Sequence, residues 1–327
     1  MENALVRIEP VYEPVVLDIE PHKAFITANT TSCSFEELRT QHHIPVFVKD
    51  NEPVISQLEF IETVRDTMSE LFPGQVITEP EIRLSHPIKG RISEAKYKPA
   101  SELNDWEKTI YYERMAFIME LPTIQENING NRLSLTVGGV KAYNLDNLNN
   151  RKGAEENFKV FIGFQNKVCT NMCISSDGYV GNLKVQSLEQ LKNAIEMLFR
   201  SYSVSGHINN LKQFVDYSLT EQQFALLVGR CRMYQHLPKH FKDAIYSQSL
   251  LLTDTQLGNI VRDYYQDLDF GGAKTGKINL WDLYNLFTGA NKTTYIDSFA
   301  DRSVNAYQFI KQLQFALDNE IDNWFLN

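Results

Sequence analysis

The sequence predicts an α+β protein, with a central, mostly antiparallel sheet of about five strands followed by a C-terminal helical layer. Two observations predict it. Between Val76 and Val185 apolar residues recur mainly at every second position, and after Val185 they recur three and four apart. Turn pairs, Asn129-Gly130 and Asp177-Gly178, punctuate the first region, whereas helix-capping pairs punctuate the second. Strands first and helices later is the α+β order. The periodicities divide the chain into a mixed N-terminal segment, 1–75, a sheet region, 76–186, and a helical region, 187–327. No flexible linker marks residue 186, so the last two are compatible with one compact domain.

In chain order, Pro10, Pro14 and Pro21 keep the first 33 residues extended, as a segment crossing the body or a partner. Ser34 with Glu37 caps a short helix, FEELRTQ, which ends by Pro45, and IPVFV reads as a strand. Ser56 with Glu59 caps the next helix. Its apolar residues Phe60, Ile61, Val64, Met68, Leu71 and Phe72 share one face, and Pro73-Gly74 stops it. EIRLSHPIKGRI, Thr109–Leu121 and Arg132–Tyr143 then read as strands. Gly138-Gly139 inside the last of these predicts a bulge or a close backbone approach. An Asn-rich loop leads to Phe158–Val185, expected to form a strand, a turn at Asp177-Gly178 and a second strand.

Seven helices follow. They start at Ser187 with Gln190, around Ile208–Val215, at Thr220 with Gln223, near Lys239, at Thr255–Gln266, at Leu280–Phe287 ending at Gly289, and at Val304–Leu326.

Composition narrows the function classes. Apolar residues at 43% and charged residues at 22% are ordinary globular usage, so a substantial core is available. A net charge of −9 removes global charge as evidence for a polyanion partner. Four Cys in a chain this long form no disulfide framework, which points to the reducing cytoplasm. No apolar run approaches the ~20 residues of a membrane span, so no membrane partner is expected.

The linear motifs are incomplete. Gly271–Lys277, GGAKTGK, matches most of a phosphate loop but ends at Ile278, without the Mg²⁺-binding hydroxyl, and follows a helix carrying carboxylates. Asp267, Asp269 and Gly272 have the early spacing of a calcium loop, but its twelfth position is Ile278; Asp282 substitutes only in a longer loop. Cys169, Cys173, Cys231, His236 and His240 could be written as a metal site, yet a strand holds the first pair about 13 Å apart and Pro238 interrupts the histidines. No catalytic residue, metal or cofactor is therefore assigned.

The candidate ligand-binding residues are instead polar side chains in and around Phe158–Val185. Gln165, Asn166, Lys167, Thr170 and Asn171 occupy positions where a plain core strand holds Val and Ile. Amides beside a cation suit phosphates and base edges, and Tyr143, Asn144 and Tyr179 add stacking and amide groups if the strands bring them near. The same residues suit a tight turn and a bulge through side-chain to backbone bonds.

Several stretches together resemble a family: FITANTTSCSFEEL, IPVFVKDNEPVISQLEFIETV, LTVGGVKAYNLDNL, FIGFQNKVCTNMCISSDGY and INLWDLYNLFTGANKTTYIDSFADRSVNAYQF. They are similar to the domain-of-unknown-function family numbered thirty-eight seventy-one. VCTNMCISS and LWDLYNLFTGANK more distantly resemble phage/plasmid-like proteins, with Met172 standing where that group tends to have Gly. The resemblance implies a protein of bacterial chromosomes and mobile elements, without an established activity. The leading expectation is a non-enzymatic accessory protein binding DNA or RNA on the sheet. The alternatives are a protein–protein module whose acidic face acts on a host or mobile-element protein, and an enzyme without a recognisable motif.

Overall fold

The computed structural model describes residues 24–28, 30–41, 55–85, 88–91, 93–95, 97–99, 102–111, 114–146, 155–246 and 249–327. The expected strand IPVFV, most of the proline-rich start and most of the Asn-rich loop lie outside the described residues.

A seven-stranded sheet runs β1 (Thr30–Cys33), β2 (Glu81–Ser85), β5 (Arg114–Ile128), β6 (Asn131–Ala142), β7 (Glu156–Asn166) and β8 (Met172–Cys173), with β9 (Tyr179–Val185) also on β7. All its pairings are antiparallel. β3 (Ile88–Arg91) and β4 (Lys108–Tyr111) form a separate two-stranded sheet. The run Thr109–Leu121, read as one strand, is therefore two strands in two sheets. Asn129 (φ 50°) and Gly130 (φ 80°) make the tight turn between β5 and β6, as that dipeptide favours.

Gly138 and Gly139 mark close approach, not a bulge. A Cβ on Gly138 would lie 2.4 Å from the Phe117 carbonyl oxygen, and one on Gly139 would lie 2.4 Å from the Phe60 ring. The register passes through both without interruption, and shifts instead between Leu121 and Gln125, next to Pro122.

Asp177-Gly178 is not the hairpin turn either. The chain first reverses at Lys167–Thr170, where Thr170 adopts φ 60°. It then makes β8 and a 3-10 turn at Ser176–Gly178, and returns as β9 along the same edge of β7. The hairpin thus gains a short extra strand, because a hydrogen-bonded turn at Thr170 competes with the downstream signal.

Helices cover the first face of the sheet. α1 spans Phe35–Gln41 and α2 spans Gln57–Leu71, capped by the reciprocal Ser56 and Glu59 bonds. Phe60 on α2 meets Phe117 and Phe158 edge to face, at 5.3 and 4.8 Å between ring centroids. Burying each such ring contributes roughly 2–3 kcal/mol. α3 spans Tyr143–Asp146 and α4 spans Leu188–Ser201, capped by Ser187.

Then α5 (Val204–Gln213), β10 (Ser218–Thr220) and α6 (Glu221–His236) make one helix–strand–helix unit. After α7 (Lys239–Ile245), a second unit comprises α8 (Asp254–Gln266), β11 (Lys277–Asn279) and α9 (Leu280–Asn291). β10 and β11 pair antiparallel and join the two units. α9 runs through Gly289 to Asn291, two residues beyond the expected stop.

α10 (Ile296–Asp318) begins and ends earlier than its apolar stripe suggests. Its Ile296, Phe299, Ala300 and Val304 pack on the second face with Phe25, Ile26, Ile118, Val140 and Phe161. Both faces of the sheet therefore carry covering elements.

Candidate functional site

The Gln165–Asn171 stretch turns inward. Within the turn, the Thr170 amide donates to the Asn166 carbonyl (2.7 Å) and the Asn166 amide to the Asn171 carbonyl (2.9 Å), while Asn166 Oδ1 accepts the Val168 amide (3.0 Å). Asn166 Nδ2 then donates to Asn285 Oδ1 on α9 (3.0 Å), and Asn171 Nδ2 to the Asn285 carbonyl (2.8 Å). Asn285 in turn donates to the Trp281 carbonyl (2.9 Å). Lys292 Nζ, from the turn after α9, donates to Thr170 Oγ1 (2.8 Å) and to the Cys169 carbonyl. All three asparagines are buried, so the polar residues clamp the β7–β8 turn onto α9.

Gln165 and Lys167 face the other way. Lys167 Nζ donates to Glu120 Oε1 (2.6 Å) and to Gln165 Oε1 (3.3 Å), and Ser134 Oγ donates to Glu120 Oε2 (2.8 Å). Gln165 is fully buried and its Nε2 has no partner among the described residues. The cation is thus paired within the sheet.

The register separates the other candidates from these. β6 and β7 do pair, but antiparallel: Leu133 faces Asn166 while Lys141 faces Phe158. Tyr143 and Asn144 therefore stand roughly 30 Å along the sheet from Gln165–Asn166, at its opposite end. Tyr143 is buried with Lys141 Nζ 5.3 Å from its ring centroid; the Asn144 side chain lies outside the described residues. Tyr179 is half-buried and donates its hydroxyl to Asp301 Oδ1 (2.6 Å). Burial, reinforced by Asp301, holds that phenol above its ordinary pKa.

The motifs weighed for metals and phosphates have structural partners. Asp267 Oδ1 accepts the Asp269 and Phe270 amides (2.8 and 2.9 Å), and Gly271 and Gly272 pack against the Asp267 and Lys277 backbones. Burial pushes the Cys173 and Cys231 thiols up. Among the described residues no group of three or more His, Cys, Asp and Glu is arranged to hold a metal ion.

A different concavity opens where β6 ends and β7 begins. A cavity of about 300 Å³ is lined by Val140, Ala142 and Leu145, with Asn157, Lys159, Asn182 and Lys184 among its polar residues. Asn157 faces Lys184 across β7 and β9, and a register shift beside Phe158 places Gly181 in the same wall. Lys159 Nζ donates to the Asp297 carbonyl (2.6 Å) and pairs with Asp301, whereas Asn182 and Lys184 are exposed. These four polar residues escaped the sequence reading, although Asn157/Lys159 and Asn182/Lys184 are i, i+2 pairs on one strand face.

Comparison with known proteins gives a family. A model described as "Domain of unknown function, B. Theta Gene description (DUF3871)" matches residues 7–326. The chain belongs to this family. No curated protein and no solved structure matches it. Among the described residues of this family member, no helix is long and apolar enough to cross a membrane.

Proposed function

We propose that the protein is a non-enzymatic accessory protein of the cytoplasm that binds single-stranded nucleic acid at the cavity end of the sheet. The observation that carries this reading is the cavity itself: the exposed Lys184 ammonium and Asn182 amide, beside Asn157 and the Asp301-paired Lys159, around an apolar floor of Val140, Ala142 and Leu145. Ammonium groups suit a phosphate, amides suit base edges, and about 300 Å³ is at the small end of ligand-pocket volumes. The mobile-element setting implied by the sequence resemblance accords with such a role. The proposed contacts move from Gln165–Asn171, where the amide residues are buried and Lys167 is paired with Glu120, to Lys184, Asn182 and Asn157.

The test is fluorescence anisotropy with a labelled oligothymidylate of about 20 nucleotides. Binding at about 50 mM salt that weakens by about 200 mM is expected, since phosphate contacts release counterions. No binding at the lower salt contradicts the reading.

A protein–protein module is the second reading. The outward side of α6 and α7 favours it, with Leu226, Met233 and Phe241 exposed. Binding of the oligonucleotide with no effect of Leu226→Asp and Met233→Asp separates that surface from the nucleic-acid site.

A further inference from the structure

We propose that the outward face of α6 is the seam of a homodimer, packed antiparallel against α6 of a second copy about a twofold axis at Gly229; this rests on the protein–protein reading of that surface and is independent of the nucleic-acid site. α6 is a continuous helix of 16 residues, Glu221–His236. On one side Phe224, Leu227, Cys231 and Tyr234 are buried in the core. On the other side Gln222, Leu226, Gly229, Met233 and His236 recur four, three, four and three apart, and all of them are exposed. That is the spacing by which one helix meets another along a straight seam. The middle of the stripe, Leu226, Gly229 and Met233, is uncharged, where a solvated helix face ordinarily carries charge.

The shape of the stripe is self-complementary. Met233 is 58% exposed, whereas Ala225 and Gly229 are small, and a Cβ placed on Gly229 would meet nothing within 4 Å. Ala225 and Met233 each lie four residues from Gly229. An antiparallel twofold there sets Met233 of each copy over Ala225 of the other, with Leu226 alongside. The missing side chain at Gly229 lets the two axes approach to the short end of the usual 8–10 Å, roughly. In a parallel pair Met233 would meet Met233 and leave the notch empty.

Charge selects the same arrangement. Glu221, at its start, is the one acid of α6, and its bases Arg230, Arg232 and His236 all lie in the second half. Arg232 follows Glu221 by three full turns, so the two share one flank of the stripe. Glu221 Oε1 accepts the Tyr265 hydroxyl (2.6 Å) and is exposed. Arg232 pairs with Asp254 (3.2 Å), yet their side chains are 68% and 48% exposed, so the guanidinium stays open to a second carboxylate. A twofold axis across the seam keeps each flank on its own side while exchanging its ends. Glu221 of each copy thereby comes alongside Arg232 and His236 of the other, whereas a parallel pair would set Arg232 against Arg232. A single seam of about 24 Å buries less than the roughly 1,200 Å² of a standard interface, which makes the dimer weak and reversible.

The experiment is sedimentation equilibrium of the full-length protein, with urea unfolding of every variant as the check on folding. Wild type is expected to pass from monomer to dimer between about 1 and about 200 µM. Gly229→Gln is expected to weaken the dimer at least about tenfold while leaving the fold as stable or more so, because its side chain enters open space and favours helix. Met233→Asp is expected to weaken it by a similar factor. Glu221→Lys and Arg232→Glu are each expected to weaken self-association several-fold, and an equimolar mixture of the two to recover it, since each then meets an opposite charge on the other. Wild type that stays monomeric overturns the second copy as the partner. A dimer untouched by Gly229→Gln and Met233→Asp, or charge variants that do not recover on mixing, overturns the α6 seam. Oligothymidylate anisotropy on the same variants is expected to match wild type, which keeps the outcomes at the two sites separate.

Discussion

The two ends of the same strand, β7, carry similar residues but differ in what lies beside them. At its last residue and in the turn beyond it, Asn166, Lys167 and Asn171 are paired to Asn285 and Glu120, and the asparagines are buried. At its first residues, Lys159 is also paired, to Asp301, and Asn157 Nδ2 donates to the Leu145 carbonyl (3.5 Å), but the exposed Asn182 and Lys184 of β9 join them around an open cavity. Amide and ammonium groups specify a site only where the covering elements leave them facing solvent. α9 closes the first end, whereas at the second Leu145 of α3 lines a concavity.

Four expected outcomes sharpen this contrast, in falling order of effect. Asn285→Leu strands the Asn166 donor and is expected to cost about 2–4 kcal/mol in urea unfolding, with no change in oligonucleotide affinity of the folded protein. A cost below about 0.5 kcal/mol would show that the clamp contributes nothing.

His207 lies behind the same closed end, 5.8 Å from the Phe164 ring. Its Nδ1 shares a hydrogen bond with the Tyr202 hydroxyl (2.7 Å), and its Nε2 has no partner among the described residues. Burial lowers its pKa from 6.5 to about 3, against a smaller raising effect of Asp177 and with a smaller lowering effect of Lys311. The folded protein holds the neutral ring while the unfolded chain takes a proton, so this stability is complete above pH 6.5 and is lost as pH falls toward about 3. Wild type is expected to lose up to about 1.4 kcal/mol per pH unit relative to His207→Gln in that window. Parallel pH profiles of the two proteins would contradict a neutral buried ring.

Asp282, at the start of α9, behaves with the opposite sign. Burial raises its pKa from 3.8 to about 6, against the bonds from Asn279 and Asn129 and with help from Asp267. Its stabilising neutral form is fully present below pH 3.8 and is lost as pH rises through about 6. Asp282→Asn is therefore expected to raise the unfolding free energy at pH 7 by about 1 kcal/mol, discounted for its partial exposure. The advantage should vanish below pH 4 in the same denaturant titration.

The smallest effect belongs to the exposed Lys192–Glu70 pair at 2.7 Å. Lys192→Met is expected to leave the unfolding midpoint close to that of wild type, and any difference should disappear in high salt.

Much of the fold was legible because local signals and packing agree. Ser56/Glu59 and Thr220/Gln223 form the expected capping boxes, and Asn129-Gly130 makes the expected turn. The site was less legible for a geometric reason. Tyr143 and Gln165 look close when two strands are known to pair, but antiparallel direction sends them to opposite ends. Burial was equally hidden: Asn166 reads as a surface residue until Asn285, 119 positions later, is placed beside it. Asn182 and Lys184 are ordinary residues of an exposed strand in sequence, and become a wall only through the shift beside Phe158.

The most direct measurement compares two lysine substitutions, one at each end, by oligothymidylate anisotropy and urea unfolding of the same samples. Lys184→Gln is expected to weaken binding several-fold without altering stability, and Lys167→Gln to lower stability by about 1–3 kcal/mol, by stranding the Glu120 carboxylate, without altering binding. Weakened binding in Lys167→Gln beside unchanged binding in Lys184→Gln would contradict the assignment of the two ends.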